Sequence, residues 1–395
     1  MAKTGIKIQV ADSVLGAPLN VNATTMIFSF GGDETQDLIS GRSLGELESK
    51  NIVKGSDLHI AAKEYFNPSP PVSLDGNLLW VYGIISESFN ADDICEQVRK
   101  TVANSFDERP RQLVFLARGG DASYGGVDKS MAENTFQKAL SQLATEGIRA
   151  VAIVSTPLDG GENESINNTI VNADDVTKWN TPFVAVCPMA KSLSGDDVFG
   201  SVYVAATLAT TSVGTSIGDG GLSAMQSPSV LAVETDGGEM ANVDVRTLSL
   251  AQLDMLGQKG YLFTRPRPPR NGLWWNDGAT CNDPDNALSS LEACRTICAM
   301  ADDLQSFFVP YINTRVPVTS TGDIQSAYKQ VVLDNARAAV VQKYIESGDI
   351  SDARINLVAK DNDMIGTRTW EVTLSILPAP TLRWIDGYVF YVKSL

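Results

Sequence analysis

Histidine is all but missing: His59 is the single imidazole of the chain. That scarcity excludes most Ser-His-Asp triads, histidine-ligated metals and imidazole acid–base pairs. His59 stands in DLHIAAKEYF among ordinary helix-surface residues, so a structural or solvated role is expected of it. No GxxxxGK[ST] loop and no strand-following GxGxxG is present, and no nucleophile elbow is read. No stretch approaches ~18 consecutive apolar residues, and residues 1–11 carry no signal-type apolar run. Folding in a cytoplasm without membrane insertion is therefore expected. Positive charge is also short, 31 Lys and Arg against 47 Asp and Glu, for a formal net charge of −16. A nucleic-acid partner needs the opposite balance and is not expected.

Cysteine is sparse and odd in number, at five, which argues for reduced thiols rather than a disulfide framework. Cys294 and Cys298 share a helical face, and Cys281 makes a third thiol. With no CxxC and no histidine nearby, small buried apolar residues explain them better than zinc does. The repeated Asp-Gly-Gly at 159–161, 219–221 and 236–238 reads as tight turns. Asp361, Asp363 and Gly366 begin like a calcium loop, but Ile365 and Val372 fall where ligands are needed. No catalytic, cofactor-binding or metal-ligating residues are assigned.

What is present is a chain of 395 residues with 43% hydrophobic content, enough for two or three domains. Continuous apolar runs at Thr25–Phe30, Leu78–Ile85, Leu113–Ala117, Ala150–Ser155 and Phe183–Cys187 read as strands. Amphipathic segments at Asp57–Phe66, Ala91–Phe106, Asp128–Glu146 and Asp197–Thr210 read as helices. Their alternation predicts an α/β domain with a largely parallel sheet covered on both faces. Arg265–Pro269 (RPRPP) reads as a stiff linker. Beyond it the pattern turns α+β. A helix is expected from Asp283, with Pro284 at its first position, to about Leu304. An apolar connector over Ser306–Ile312 and a second helix from near Thr321 to Ser347 follow. Strands at Ala353–Ala359 and Thr369–Leu377 come last.

Both ends look like strands. Gly5–Val10 (GIKIQV) carries Ile6, Ile8 and Val10 before a loop with Gly16 and Pro18. Tyr388, Val389, Phe390, Tyr391 and Val392 follow Gly387 as a run of β-branched and aromatic residues. Such a terminal strand either pairs inside its own domain or is donated to a neighbouring subunit.

Asn271–Arg295, NGLWWNDGATCNDPDNALSSLEACR, resembles the start of the C-terminal domain of contractile tail sheath proteins. The order that follows there is similar: an apolar turn (Val309–Tyr311), a long helix ending near Gly348, Ile355–Val358, and TWEVTLSILP. SFGGDETQDLISGRSLGELESKNI and NLLWVYGI look like the beginning of the sheath core. The resemblance implies a subtilisin-like core by fold, with no protease pattern to match. The division is an N-terminal arm over 1–20, a core over 21–264, the linker 265–270, an α+β domain over 271–386 and a C-terminal arm over 387–395.

The same resemblance implies a non-enzymatic homo-oligomer of stacked hexameric rings around an inner tail tube protein, ending on baseplate and tail terminator proteins. Its place would be a virion tail assembled in the host bacterial cytoplasm, or a cytoplasmic injection-system sheath. Terminal arms would complete sheets in neighbouring subunits, and the C-terminal domain would face the tube. Lys329, Arg337 and Lys343 are then a candidate tube-facing band, against the plainer reading of a solvated helix face. Two other classes stay open: a cytosolic α/β enzyme with an acidic site, and another virion structural protein.

Overall fold

The computed structural model describes residues 24–30, 37–67, 77–84, 90–105, 109–116, 127–159, 166–190, 199–219, 221–222, 224–225, 228–234, 240–268 and 270–380. The two expected arms, with Ile6, Ile8 and Val10 at one end and Tyr388–Val392 at the other, lie outside these residues.

The first half runs β1 (Thr25–Phe30), β2 (Ile39–Gly41), α1 (Leu44–Ser49), α2 (Asp57–Phe66), β3 (Leu79–Ile84), α3 (Ala91–Ala103) and β4 (Gln112–Leu116). Then come α4 (Lys129–Met131), a π-helical turn at Ala132–Gln137, and α5 (Lys138–Thr145). They are followed by β5 (Val151–Ser155), β6 (Leu158–Asp159), α6 (Ile166–Asn172), β7 (Val184–Cys187), β8 (Met189–Ala190) and α7 (Gly200–Thr210). Six strands form one sheet in the order β2-β3-β1-β4-β5-β7, parallel throughout except for β2. Every residue of β4 and β5 is buried, because helices lie on both faces. α2 and α7 cover one face, while α3, α5 and the turn between α4 and α5 pack together on the other. The rings of Phe28 and Phe115 stack at 5.0 Å, and Phe136 adds a 4.4 Å contact from the helical layer.

α7 is apolar nearly all round because it is wedged between α2 and the sheet. The close fit shows at Gly200, where a Cβ would come within 2.3 Å of the Met189 Cβ. The helix begins there rather than at Asp197.

β9 (Val230–Glu234), β10 (Met240–Asp244) and β6 form a second, smaller sheet, with β8 also on β9. α8 (Leu250–Gln258) precedes β11 (Thr264–Pro266) and β12 (Leu273–Trp275), which pair antiparallel. The segment expected as a linker therefore carries a strand. Arg267 fastens it, donating to the carbonyls of Gly218 at 2.7 Å and Trp275 at 3.0 Å.

α9 (Leu291–Phe308) starts seven residues later than expected, at Leu291 rather than Pro284. Asp283 and Asn286 turn their side chains onto the amides of Asp285 and Leu288, which diverts the backbone from helix. Ser290 is the N-cap instead, accepting from the Ala293 amide. α9 also takes in the first residues of the expected connector, Ser306 to Phe308, and ends in a 3-10 turn at Val309–Tyr311. α10 (Ser326–Ala336), a π-helical turn at Arg337–Val341 and α11 (Gln342–Glu346) form the next long helix. Gly348, with φ of +79°, terminates it. β13 (Ile350–Ala359), α12 (Met364–Thr367) and β14 (Trp370–Pro378) close the described chain.

One hydrophobic core spans Met26 to Cys298, and two smaller clusters lie between α9, the α10–α11 helix and the β13–β14 hairpin.

Candidate assembly surface

β13 and β14 pair only with each other among the described residues. Sequence alternation sets the hairpin's two faces. Trp370, Val372, Leu374 and Ile376 point inward with Ala353, Ile355, Leu357 and Ala359. Asp352, Arg354 and Asn356 point outward with Glu371, Thr373, Ser375 and Leu377. A lone two-stranded hairpin is marginal in water, so its inner face must be held by the helices. Trp370 does this with its ring centroid 5.6 Å from Tyr311 and 6.0 Å from Phe308. Packing fixes one face and leaves the outer edges of β13 and β14 without a further strand among the described residues, although Ala353 on β13 has its carbonyl engaged by Arg337 and its amide by Asp352. Such an edge can accept an added strand.

Lys329 and Arg337 sit on α10 and its π-helical continuation, and Lys343 on α11. The three do not form a free basic band. Arg337 donates to the Ala353 carbonyl and to Asp352 Oδ1, both at 2.8 Å, tying the helix to β13. These bonds hold the Asp352 carboxyl below its ordinary range, the guanidinium first and the Ala353 amide second. Lys343 pairs with Asp303 and lies 4.9 Å over the Tyr344 ring. Lys329, half-buried, has no ion pair among the described residues. The i→i+5 turn at 337–341 also changes the angular phase, so regular helical spacing no longer relates Arg337 to Lys343.

Two charges of α9, the buried Arg295 and the partly buried Asp302, lock this C-terminal half onto the sheet. Arg295 reaches the end of α7, donating to the carbonyls of Leu208 at 2.6 Å, Thr211 at 3.2 Å and Ser212 at 3.3 Å. It caps carbonyls that α7 leaves unpaired, at the negative end of the helix dipole. Burial pulls its pKa down to about 10, opposed by Glu292 and Asp349. Asp302 binds Arg149 through one oxygen and Arg111, at 2.5 Å, through the other. Arg149 also donates to Gln305 at 3.1 Å. The sequence reading passed over both residues. Their seven-residue spacing puts Arg295 and Asp302 on one face of α9, in phase with the buried Cys298, and that pattern was available as a signal.

His59 is structural here. Its Nε2 lies 3.0 Å from Glu48 and its Nδ1 accepts the Gly55 amide, joining α1 to α2. All five cysteines are buried thiols. Burial pushes Cys187 and Cys298 up to about 12, with Asp302 adding to the rise at Cys298. Gly214–Gly218 (GTSIG) does have the spacing of a nucleophile elbow, which the sequence reading missed. It lies in turns after helix α7, not between a strand and a helix, and Ser216 is buried.

No protein family profile and no curated protein matches the sequence. Solved structures do. A chain of the anti-feeding prophage baseplate, solved by cryo-EM and six-fold symmetrised, superposes with a TM-score of 0.57 at 10% identity, over 99% of each chain. A chain of that baseplate in its contracted state gives a TM-score of 0.53 at 11% identity, over 99% of this chain and 98% of the other. The likeness is one of fold, and it extends over essentially the whole length of both chains.

Proposed function

We propose that this chain is a structural subunit of a contractile injection machine, and within it a sheath subunit that polymerises as stacked hexameric rings around an inner tube. The observation that carries the reading is the β13–β14 hairpin, whose strands pair only with each other among the described residues. Strand-like termini at Gly5–Val10 and Tyr388–Val392 are the natural complement to it. Full-length likeness of fold to a chain of a contractile baseplate supports the coarser part of the proposal. The division into a subtilisin-like core, an α+β domain and two arms belongs to the same proposal.

Negative-stain microscopy of the purified protein is the test. Long tubes with a wide lumen are expected. Deleting Tyr388–Leu395 should leave a soluble, folded protein that forms none. Turnover of a small molecule by a discrete monomer would instead favour an α/β enzyme. A second reading, a baseplate subunit, is favoured by the baseplate origin of both similar chains. It predicts discrete particles or single rings that never elongate.

A further inference from the structure

Three guanidiniums gather where the start of β4 and the turn before β5 meet α9. Arg111 and Arg149 share the one carboxylate of Asp302. Arg109 is exposed, and its side chain bonds the Gly147 carbonyl from Nη1 at 3.2 Å. No carboxylate pairs with Arg109 among the described residues, and Glu146, the acidic neighbour of Gly147, is taken by Arg99 at 2.6 Å. The Arg149 bond at 3.1 Å fixes Gln305 Oε1 as the acceptor, which leaves Gln305 Nε2 a donor without an acceptor among the described residues. Gly147, with φ of +78°, has no side chain to fill the space between these donors. A Cβ there would lie 3.4 Å from Gln305 Nε2 and 4.0 Å from Arg109 Nη1. Those separations bracket the ~3.7 Å that a carboxylate carbon keeps from a nitrogen donating to its oxygens. The same point is 3.8 Å from Gln305 Oε1, whose partial charge the Arg149 guanidinium offsets.

We propose that this point receives a carboxylate from a second copy of the chain. The incoming oxygens accept from Gln305 Nε2 and Arg109, and Arg111, 28% exposed, adds attraction from beside Asp302. Charge complementarity selects the occupant. With a net charge of −16, copies of this chain repel one another, and contact between them requires a local positive site facing acid. The surplus of guanidinium over carboxylate around Gly147 is such a site, and each neighbouring copy carries 47 Asp and Glu to meet it. Its place at the junction of α9 with the sheet means that an occupied site also braces the Asp302 clamp. The inference rests on the reading that copies assemble, whether as tubes or as rings.

The first measurement is fluorescence anisotropy of a labelled hexaglutamate peptide with the full-length protein, diluted until monomeric. So acidic a protein repels this peptide except where a positive site is built, and saturable binding is expected. Arg109→Gln should weaken it about fivefold. Gly147→Asp should abolish it, by placing a carboxylate of the same chain at the site. Gly147→Asn has the same shape and the same backbone demand without the charge, and should bind within about twofold of wild type. Absence of saturable binding, or equal loss with Asp and with Asn, overturns the proposal. The second measurement is assembly, by sedimentation and negative-stain microscopy. Gly147→Asp should lower the assembled mass about tenfold while Gly147→Asn still assembles. Peptide binding together with unaltered assembly of Gly147→Asp overturns the second-copy assignment and gives the site to another acidic partner. Wild-type protein that binds the peptide yet never assembles overturns it too, and separately ends the reading of an assembling subunit.

Discussion

Removing the Asp302 carboxylate should cost more than any surface change in the molecule. The Arg149 side chain is 2% exposed and Asp302 is 13% exposed, so this pair sits away from solvent screening. Arg149 Nε already lacks a partner, and the guanidinium relies on Asp302 and Gln305. In Asp302→Ala that cation stays buried with Gln305 alone, and Arg111, 28% exposed, turns to water. Breaking a buried pair from one side typically costs about 3–5 kcal/mol, most of it the stranded charge. At an unfolding entropy of ~2.1 cal/mol/K per residue, ~1 kcal/mol moves the midpoint of a 395-residue cooperative unit by about 1 °C. Scanning calorimetry should therefore show a fall of about 4–6 °C if the chain melts as one unit. A separate early transition of the C-terminal half is expected if the clamp is what couples it to the sheet. The double change Asp302→Leu with Arg149→Met should restore most of the loss, since no charge is then stranded. A midpoint within about 1 °C of wild type for Asp302→Ala would refute the reasoning. So would a double variant worse than the single.

Arg295→Met strips the cap from α7 and should lower stability by about 2–3 kcal/mol, read from the urea midpoint, because buried carbonyls lose a charged donor. An unmoved midpoint contradicts the capping role. Native protein at pH 8 should leave its buried thiols unmodified by iodoacetamide over an hour, as a thiol with pKa of about 12 is ~0.01% thiolate there. Raising the pH to 9 should add little, and rapid labelling before unfolding would argue against the packing described. Lys329→Glu should abolish co-assembly with an inner tube while leaving the melting temperature unchanged; unaltered co-assembly removes this residue from the tube contact. Arg337→Glu is not a clean probe of that contact, because it faces Asp352 and should also loosen the helix from β13.

The sequence by itself determined the elements whose residues leave little choice. β4 and β5 are runs of apolar residues that only a covered strand accommodates, and alternation in β14 assigned its inner and outer faces. Gly348 marked a helix end because the chain needs positive φ there. The scarcity of histidine removed whole classes of chemistry before any fold was known. Tertiary structure alone decided the rest. Side-chain bonds from Asp283 and Asn286 delayed α9, and pairing with β12 turned a proline-rich segment into a strand. Arg295 and Asp302 became clamps because folding placed distant backbone and charge against them. Lys343 and Arg337 were neutralised by Asp303 and Asp352 for the same reason. Local pattern follows from backbone sterics and burial period, which act over a few residues. Charge pairing acts between residues that only the completed fold brings within hydrogen-bonding distance.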